Sequence, residues 1–334
     1  MLKKKDIIRI NKIISKFKDV KILIVGDLIL DEFVWGDSSR ISPEAPVPVV
    51  LVQAQSFMPG GAANVANNIS ALGGKAYLVG VIGRDERGRL LENLLKQKGV
   101  DIEGIISDSD RPTTLKTRVV ARHQQIVRID RENALPINDG VNREVIEHVK
   151  NKIDEMDGII IEDYGKGVIT PKFLKEIVPL AKRHNKIIIV DPKEEHFSYY
   201  KGVTAITPNR KEAEVAVGIK AKDDESLNKI GKRLVEKYRL KVALITLGEH
   251  GMLLFERSGK IAHIPTVAQE VFDVSGAGDT VIAAFTLALG ARARTIEAAH
   301  ISNFAAGIVV GKVGVATASP SELKSRIRNY HWKA

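Results

Sequence analysis

"DGIIIEDYGKG", residues 157–167, decides how the chain is read. Three isoleucines stand in a row, and then the chain turns abruptly polar and glycine-bearing. A strand with one face in water alternates apolar and polar residues. A continuous apolar run is instead buried on both faces, as in a parallel sheet. The same form recurs in "KILIVGD" (21–27), "KAYLVGVIG" (75–83), "KIIIVDP" (186–192), "VTAITPN" (203–209) and "KVALITLG" (241–248). Helical patterns are predicted over 62–72, 85–98, 140–155, 171–184, 210–217, 224–239, 279–289 and 294–310, with Gly and Asn/Asp at their ends. Alternating strands and helices predict an α/β fold, a mostly parallel central sheet covered by helices.

Two regions break the alternation. Residues 35–57 carry a Pro-bearing turn leading into a strand, and residues 112–131 carry two polar-alternating strands around "RHQQ". Both predict antiparallel ribbon, a small β-sheet lid on the α/β body. The chain shows no internal repeat and no linker, so residues 1–334 read as one domain.

Composition narrows the function. The formal net charge is +10, which suits nucleic acid, a membrane surface or an anionic small substrate. The one concentrated basic run is Lys3–Lys5, and the chain has few aromatic residues to stack on bases, so nucleic acid is set aside. Cysteine is absent, which excludes disulfides and thiolate chemistry. No apolar stretch reaches the roughly 20 residues of a membrane span. The N-terminus has helical spacing but charges throughout, unlike a signal peptide. A cytoplasmic protein is expected.

In open α/β sheets, ligands bind beyond the carboxyl ends of the strands. Polar or glycine-bearing segments lie there: Asp27, "EDYGKG" (162–167), "DPK" (191–193), "PNRKE" (208–212) and "TLGEHG" (246–251). A further stretch, "DVSGAGDT" (273–280), precedes an apolar helical run. Gly276, Ala277 and Gly278 can present N–H groups at a helix start, where the macrodipole favours anions. Asp279 beside a bound phosphate can take a proton from an attacking hydroxyl. The alternative is a plain turn with Ser275 or Asp279 as the helix cap. No P-loop, no G-x-S-x-G elbow and no H-E-x-x-H spacing compete with it.

"DVSGAGDT" resembles the C-terminal signature of the ribokinase-type carbohydrate kinases, and "PGGAANVANNISALGG" (59–74) resembles their early glycine-pair signature. "PNRKE" is similar to the family's Asn-x-x-Glu motif and "TLGEHG" to its nucleotide loop. The resemblance covers about residues 18–325 and implies a ribokinase-like three-layer sandwich. "VGDLILDEFVWGDSSRISPEAPVPVV" (25–50), "RHQQIVRID" (122–130) and "EDYGKG" further resemble the bacterial heptose 7-phosphate kinases. That implies ATP-dependent phosphorylation of the anomeric hydroxyl of a heptose 7-phosphate, on the route to ADP-heptose and lipopolysaccharide core. With its end at residue 334, a stand-alone kinase is expected. Another sugar or sugar-phosphate kinase, or a non-catalytic sensor, stays open.

The resemblance also implies roles. Asp279 is the base, with Gly276, Ala277 and Gly278 as the anion hole. Asp27, Gly60, Gly61 and Asn64 face the sugar, and Arg118, Arg122 and Lys166 are candidates for its phosphate. Lys193, Asn209, Glu212, Thr246, Gly248, Gly251 and Asn303 serve ATP. Glu212 organises Mg²⁺ through water, and Asp273 lies near a monovalent cation such as K⁺. Asn209 with Glu212 reads equally as a helix capping box, and Asp273 equally as a turn cap. Open lid edges imply pairing with a second copy, a homodimer.

Overall fold

The structure, a computed structural model, describes residues 4–122, 124–268 and 270–330. Lys3 of the basic run and His123 of "RHQQ" lie outside them. The described chain begins with α1 (Lys4–Ser15), β1 (Lys21–Gly26), β2 (Leu28–Ile41) and β3 (Pro48–Gly61). Then come α2 (Ala62–Ala71), β4 (Lys75–Gly83), α3 (Glu86–Gln97), β5 (Asp101–Asp108), β6 (Thr114–Ala121) and β7 (Gln124–Arg131). The middle holds α4 (Asp139–Lys152), β8 (Gly158–Glu162), α5 (Pro171–Arg183), β9 (Ile187–Asp191) and β10 (Ala205–Ile206). The remainder is α6 (Arg210–Val217), α7 (Asp224–Lys237), β11 (Val242–Thr246), β12 (Met252–Glu256), β13 (Ile261–Ile264), α8 (Ala277–Gly290), α9 (Thr295–Val309) and α10 (Pro320–Asn329).

The large sheet has the order β13-β12-β11-β10-β9-β8-β1-β4-β5. Neighbours from β11 to β5 pair parallel, while β12 and β13 add antiparallel at one edge. The apolar runs are buried on both faces, as their lack of alternation predicts. Ile22 and Ile24 join one core while Leu23 and Val25 join the other; Ile160 opposes Ile159 and Ile161 in the same way. Each such side chain contributes about 1.5–3 kcal/mol on burial. Helices α1, α2, α3, α8, α9 and α10 cover the first face, and α4 to α7 cover the second. This is the three-layer arrangement expected. The chain passes from β1 to β4 on one side and returns at β8 on the other, so the topological switch point lies between β1 and β8. Among the described residues, no helix is long and apolar enough to cross a membrane.

The small sheet, β3-β2-β6-β7, differs from a simple ribbon. Its outer pairs are antiparallel, but β2 and β6 run parallel. It also starts earlier than residue 35. β2 begins at Leu28, directly after Asp27, and runs 14 residues; Leu28–Phe33 are buried, and the strand then rises into solvent. β3 brings the chain back over another 14 residues. The elements β5, β12, β13 and α10 have no counterpart in the sequence reading. They sit at sheet edges or on the outside of a layer, where periodic patterns are weak.

Where β6 leaves the body, Asp85 ties it down. Asp85 caps α3 by accepting the Gly88 N–H at 2.8 Å. It also accepts from the Thr113 N–H at 2.9 Å and the Thr113 hydroxyl at 2.7 Å. Burial alone would raise its pKa, but these donors outweigh it and hold Asp85 below its ordinary value. Asp85→Ala is expected to lower unfolding free energy by about 1–2 kcal/mol, the scale of a lost N-cap. Because the folded pKa is depressed, the difference between wild type and variant is full above about pH 4 and shrinks as pH falls further. Urea unfolding at pH 7 and pH 3.5 checks both.

Candidate active site

The switch point is built around one buried carboxylate. Asp27 follows β1 and is 1 % exposed. Its Oδ2 accepts the N–H groups of Tyr164 and Lys166, each at 2.9 Å, and its Oδ1 accepts that of Val168 at 3.1 Å. Burial pushes its pKa up to about 6, against these N–H donors. Asp27 thus holds the 164–168 loop, and it is not among the residues that line the cavity beside Asp279.

That loop presents Tyr164 to Asp279. Asp279 lies in the first turn of α8, buried. Its Oδ1 accepts the Tyr164 hydroxyl at 3.1 Å, and its Oδ2 accepts the Asn64 amide at 2.5 Å. Asn64 is itself oriented. The Thr280 hydroxyl donates to Asn68 Oδ1 at 2.8 Å, and the Asn68 amide donates to Asn64 Oδ1 at 3.3 Å. With its oxygen occupied, Asn64 turns its N–H₂ to the base. Burial raises Asp279 to about 6, with the two hydrogen bonds opposing. A carboxylate so poised can serve as a general base near neutral pH.

The glycines have separate tasks. Gly276 is the N-cap of α8 with φ of 76°, and a Cβ there would come within 2.9 Å of the Asn64 amide nitrogen. Gly61, with φ of 55°, would press a Cβ to 2.6 Å from the Asp27 carbonyl. At Gly60 a Cβ would meet the Asp31 carboxylate. Among the described residues no side chain caps α8; the Ala277 N–H is taken by the Val274 carbonyl at 3.2 Å, which leaves those of Gly278 and Asp279 for an anion.

A cavity of about 270 Å³ opens over the base, lined among others by Asp31, Gly61, Asn64, Lys116, Arg118, Arg128, Tyr164, Gly276 and Asp279. Arg118 pairs with Asp31 at 2.5 Å and lies over the Phe33 ring. Arg128 bonds Asp130 at 3.0 Å, and Lys116 reaches Asp130 at 3.5 Å. Asp31, Lys116, Arg128 and Tyr164 are the residues sequence reasoning missed. Arg122 is not among the cations that line the cavity. It stands exposed at the end of β6 with φ of 47° and pairs with Asp37. Lys166 directs its ammonium to Glu132 at 2.6 Å.

Of the residues assigned to ATP from the sequence, Lys193, Asn209, Glu212, Thr246, Gly248 and Gly251 lie at or just after the neighbouring strand ends, and Asn303 lies on α9. Asn209 bridges Thr246 and caps α6 in a reciprocal box with Glu212. Glu212 spends one oxygen on the Asn209 N–H at 2.8 Å, and its charge helps burial push Asp191 up to about 8. Two buried or half-buried acids so close suit a hard cation like Mg²⁺. Lys193 lies along Gly165 and reaches Glu195 at 3.5 Å. Gly248 faces open space with φ of 58°, whereas a Cβ at Gly251 would strike the Ile264 carbonyl. Asn303 donates to the Pro265 carbonyl at 2.8 Å, and Asp273 accepts the Ser275 N–H at 2.8 Å.

A family model for the pfkB family carbohydrate kinases matches residues 20–322. The chain belongs to that family. The kinase is 46% identical to "Bifunctional protein HldE" of Geobacter sulfurreducens over 93% of this chain and 64% of that protein. It is 44% identical to the Helicobacter pylori protein of the same name over 94% of this chain and 67% of that one. The chain thus spans about two thirds of the length of these curated relatives. Among solved structures, Arabidopsis thaliana ribokinase complexed with ribose and ATP matches with a TM-score of 0.76 and 19% identity, covering 93% of this chain and 99% of that one. Escherichia coli phosphofructokinase-2 in complex with substrates and products gives 0.76 and 20%, covering 92% and 98%. These two share the fold.

Tyr164 donates a charge-assisted hydrogen bond to the base. Tyr164→Phe removes the hydroxyl that orients Asp279, and the lost alignment raises the barrier by about 1.4 kcal/mol or more, the equivalent of tenfold in rate. Steady-state kinetics should then show kcat reduced about 10-fold or more, with KM for the nucleotide unchanged.

Proposed function

We propose that this kinase transfers the γ-phosphoryl group of ATP to the anomeric hydroxyl of D-glycero-D-manno-heptose 7-phosphate, within ADP-heptose synthesis. The observation that carries a phosphorylated sugar is the pairing of Arg118 directly opposite Arg128 across β6 and β7. Like charges placed opposite each other destabilise a sheet. Both line the cavity over Asp279, with Lys116 beside them. Asp31 and Asp130 balance the two guanidiniums here; a dianionic phosphate on the sugar would compete for the same cations and set the far end of the substrate. The relatives named HldE support the choice of sugar.

Asp279 removes the proton from the attacking hydroxyl, held by Asn64 and Tyr164 in the orientation that leaves a lone pair toward the cavity. The Gly276–Gly278 end of α8 faces the charge that develops on the transferring group. When bound with ATP, Mg²⁺ neutralises phosphate charge, and Glu212 with Asn209 would hold it through water. Asp273 beside the turn is the position for a monovalent cation in this reading. A homodimer through the small sheet belongs to it too: Ile41, Leu51, Val52, Val127 and Ile129 stand exposed there.

ADP release from ATP and Mg²⁺, measured against a panel of sugars and sugar phosphates, tests the substrate. Heptose 7-phosphate should give the highest kcat/KM, and turnover confined to another sugar would sink the assignment. Asp279→Asn should lower kcat at least about 100-fold with the fold retained by circular dichroism. Arg128→Ala should raise KM for the sugar phosphate about 10- to 100-fold, the loss of one charge-assisted contact, while KM for ATP holds.

A further inference from the structure

A second cavity, of about 750 Å³, opens where α4 and α5 begin. It shares no lining residue with the cavity over Asp279. Ile137 and Ile169 make part of its wall apolar. His196 and Tyr199 line it as well, their rings stacked with centroids 4.8 Å apart. The His196 ring is fixed, because its Nδ1 meets Asp163 Oδ2 at 2.8 Å.

Asn142 of α4 also lines this cavity. It is 3 % exposed, and among the described residues neither its amide nitrogen nor its carbonyl oxygen has a hydrogen-bond partner. A buried polar group costs folding free energy unless it is hydrogen-bonded. A carboxamide sets a donor and an acceptor side by side, and its complement is an edge that does the same, as a nucleobase edge does. The stacked pair offers a flat partner to the ring that carries such an edge. Asp139 is paired with Lys172 at 2.7 Å and Glu176 with Lys150 at 3.4 Å, which leaves the exposed Lys175 for a phosphate. The volume is that of a small-molecule site.

The two cavities meet at one loop. Gly165 and Gly167 line this one, and Tyr164 lines the one over Asp279. The chain that leaves β7 adds Ile137 to the wall, and the Ile137 N–H donates to the Gly167 carbonyl at 3.0 Å.

We propose that this cavity is an effector site for a nucleoside monophosphate, apart from the site of ATP. The base edge pairs with Asn142, the ring packs on His196 and Tyr199, and the phosphate meets Lys175. Occupancy steadies the 164–168 loop and so the hydrogen bond from Tyr164 to Asp279. The site stands whether or not the sugar is the one proposed above.

The test is a calorimetric titration of the full chain with AMP, GMP, CMP and UMP, the ATP site first saturated with Mg²⁺ and a non-hydrolysable ATP analogue. At least one of the four should bind wild type at one site per chain. Asn142→Leu keeps the bulk of the side chain without its amide, and it should bind that nucleotide at least about tenfold more weakly, the loss of one paired edge. Equal binding by both proteins overturns the assignment, and so does a wild type that binds none of the four. Amide hydrogen exchange over residues 164–168 should slow when the nucleotide binds, and binding that leaves it unchanged overturns the effector role. If Asn142→Leu does not fold, Tyr199→Ala is read in the same titration with the same expectation.

Discussion

The Asp27 carboxylate, with three backbone N–H groups closed around it, is the contact on which the site depends. It joins the end of β1 to the loop after β8, across the point where strand order reverses. A buried carboxylate costs folding free energy unless donors surround it. Here the cost is offset by fixing a loop of glycines that has little structure of its own. Tyr164 is aimed at Asp279 only because its own N–H is anchored. A residue read from sequence as a sugar ligand clamps the loop behind Asp279.

From that clamp, the geometry of the base is over-determined. One hydrogen-bond chain runs through Thr280, Asn68 and Asn64, and a second comes through the 164–168 loop. The two reach Asp279 from different elements, one from α2 and the other from the loop after β8. Burial raises its basicity while the hydrogen bonds keep it ionisable. Those opposing effects place a carboxylate near neutrality without any neighbouring cation in contact.

Much of this was legible in the sequence, and the losses have definite causes. The doubly buried strands showed as unbroken apolar runs, and helix α6 was read from residue 210 to 217 as found. Asp279 and its glycines were legible because the turn is local. Asp31, Lys116 and Arg128 were not, because their meeting depends on the parallel pairing of β2 with β6 and the register of β7. Arg122 misled for a related reason. Counting by twos from Lys116 and Arg118 puts it on the cavity face, but the register slips between Val119 and Val120, and the strand ends in a left-handed turn.

The β2–β3 hairpin leaves the body at Leu28 and returns at Gly61, and these two residues face each other in register. The Ala62 N–H closes the junction on the Asp27 carbonyl at 3.1 Å. Entry and exit are therefore one fixed doorway, set beside the base but independent of what lies beyond it. The excursion behaves as a cassette. Its length, tip and outer face can change, or be exchanged by design, while the doorway and Asp279 behind it keep their coordinates.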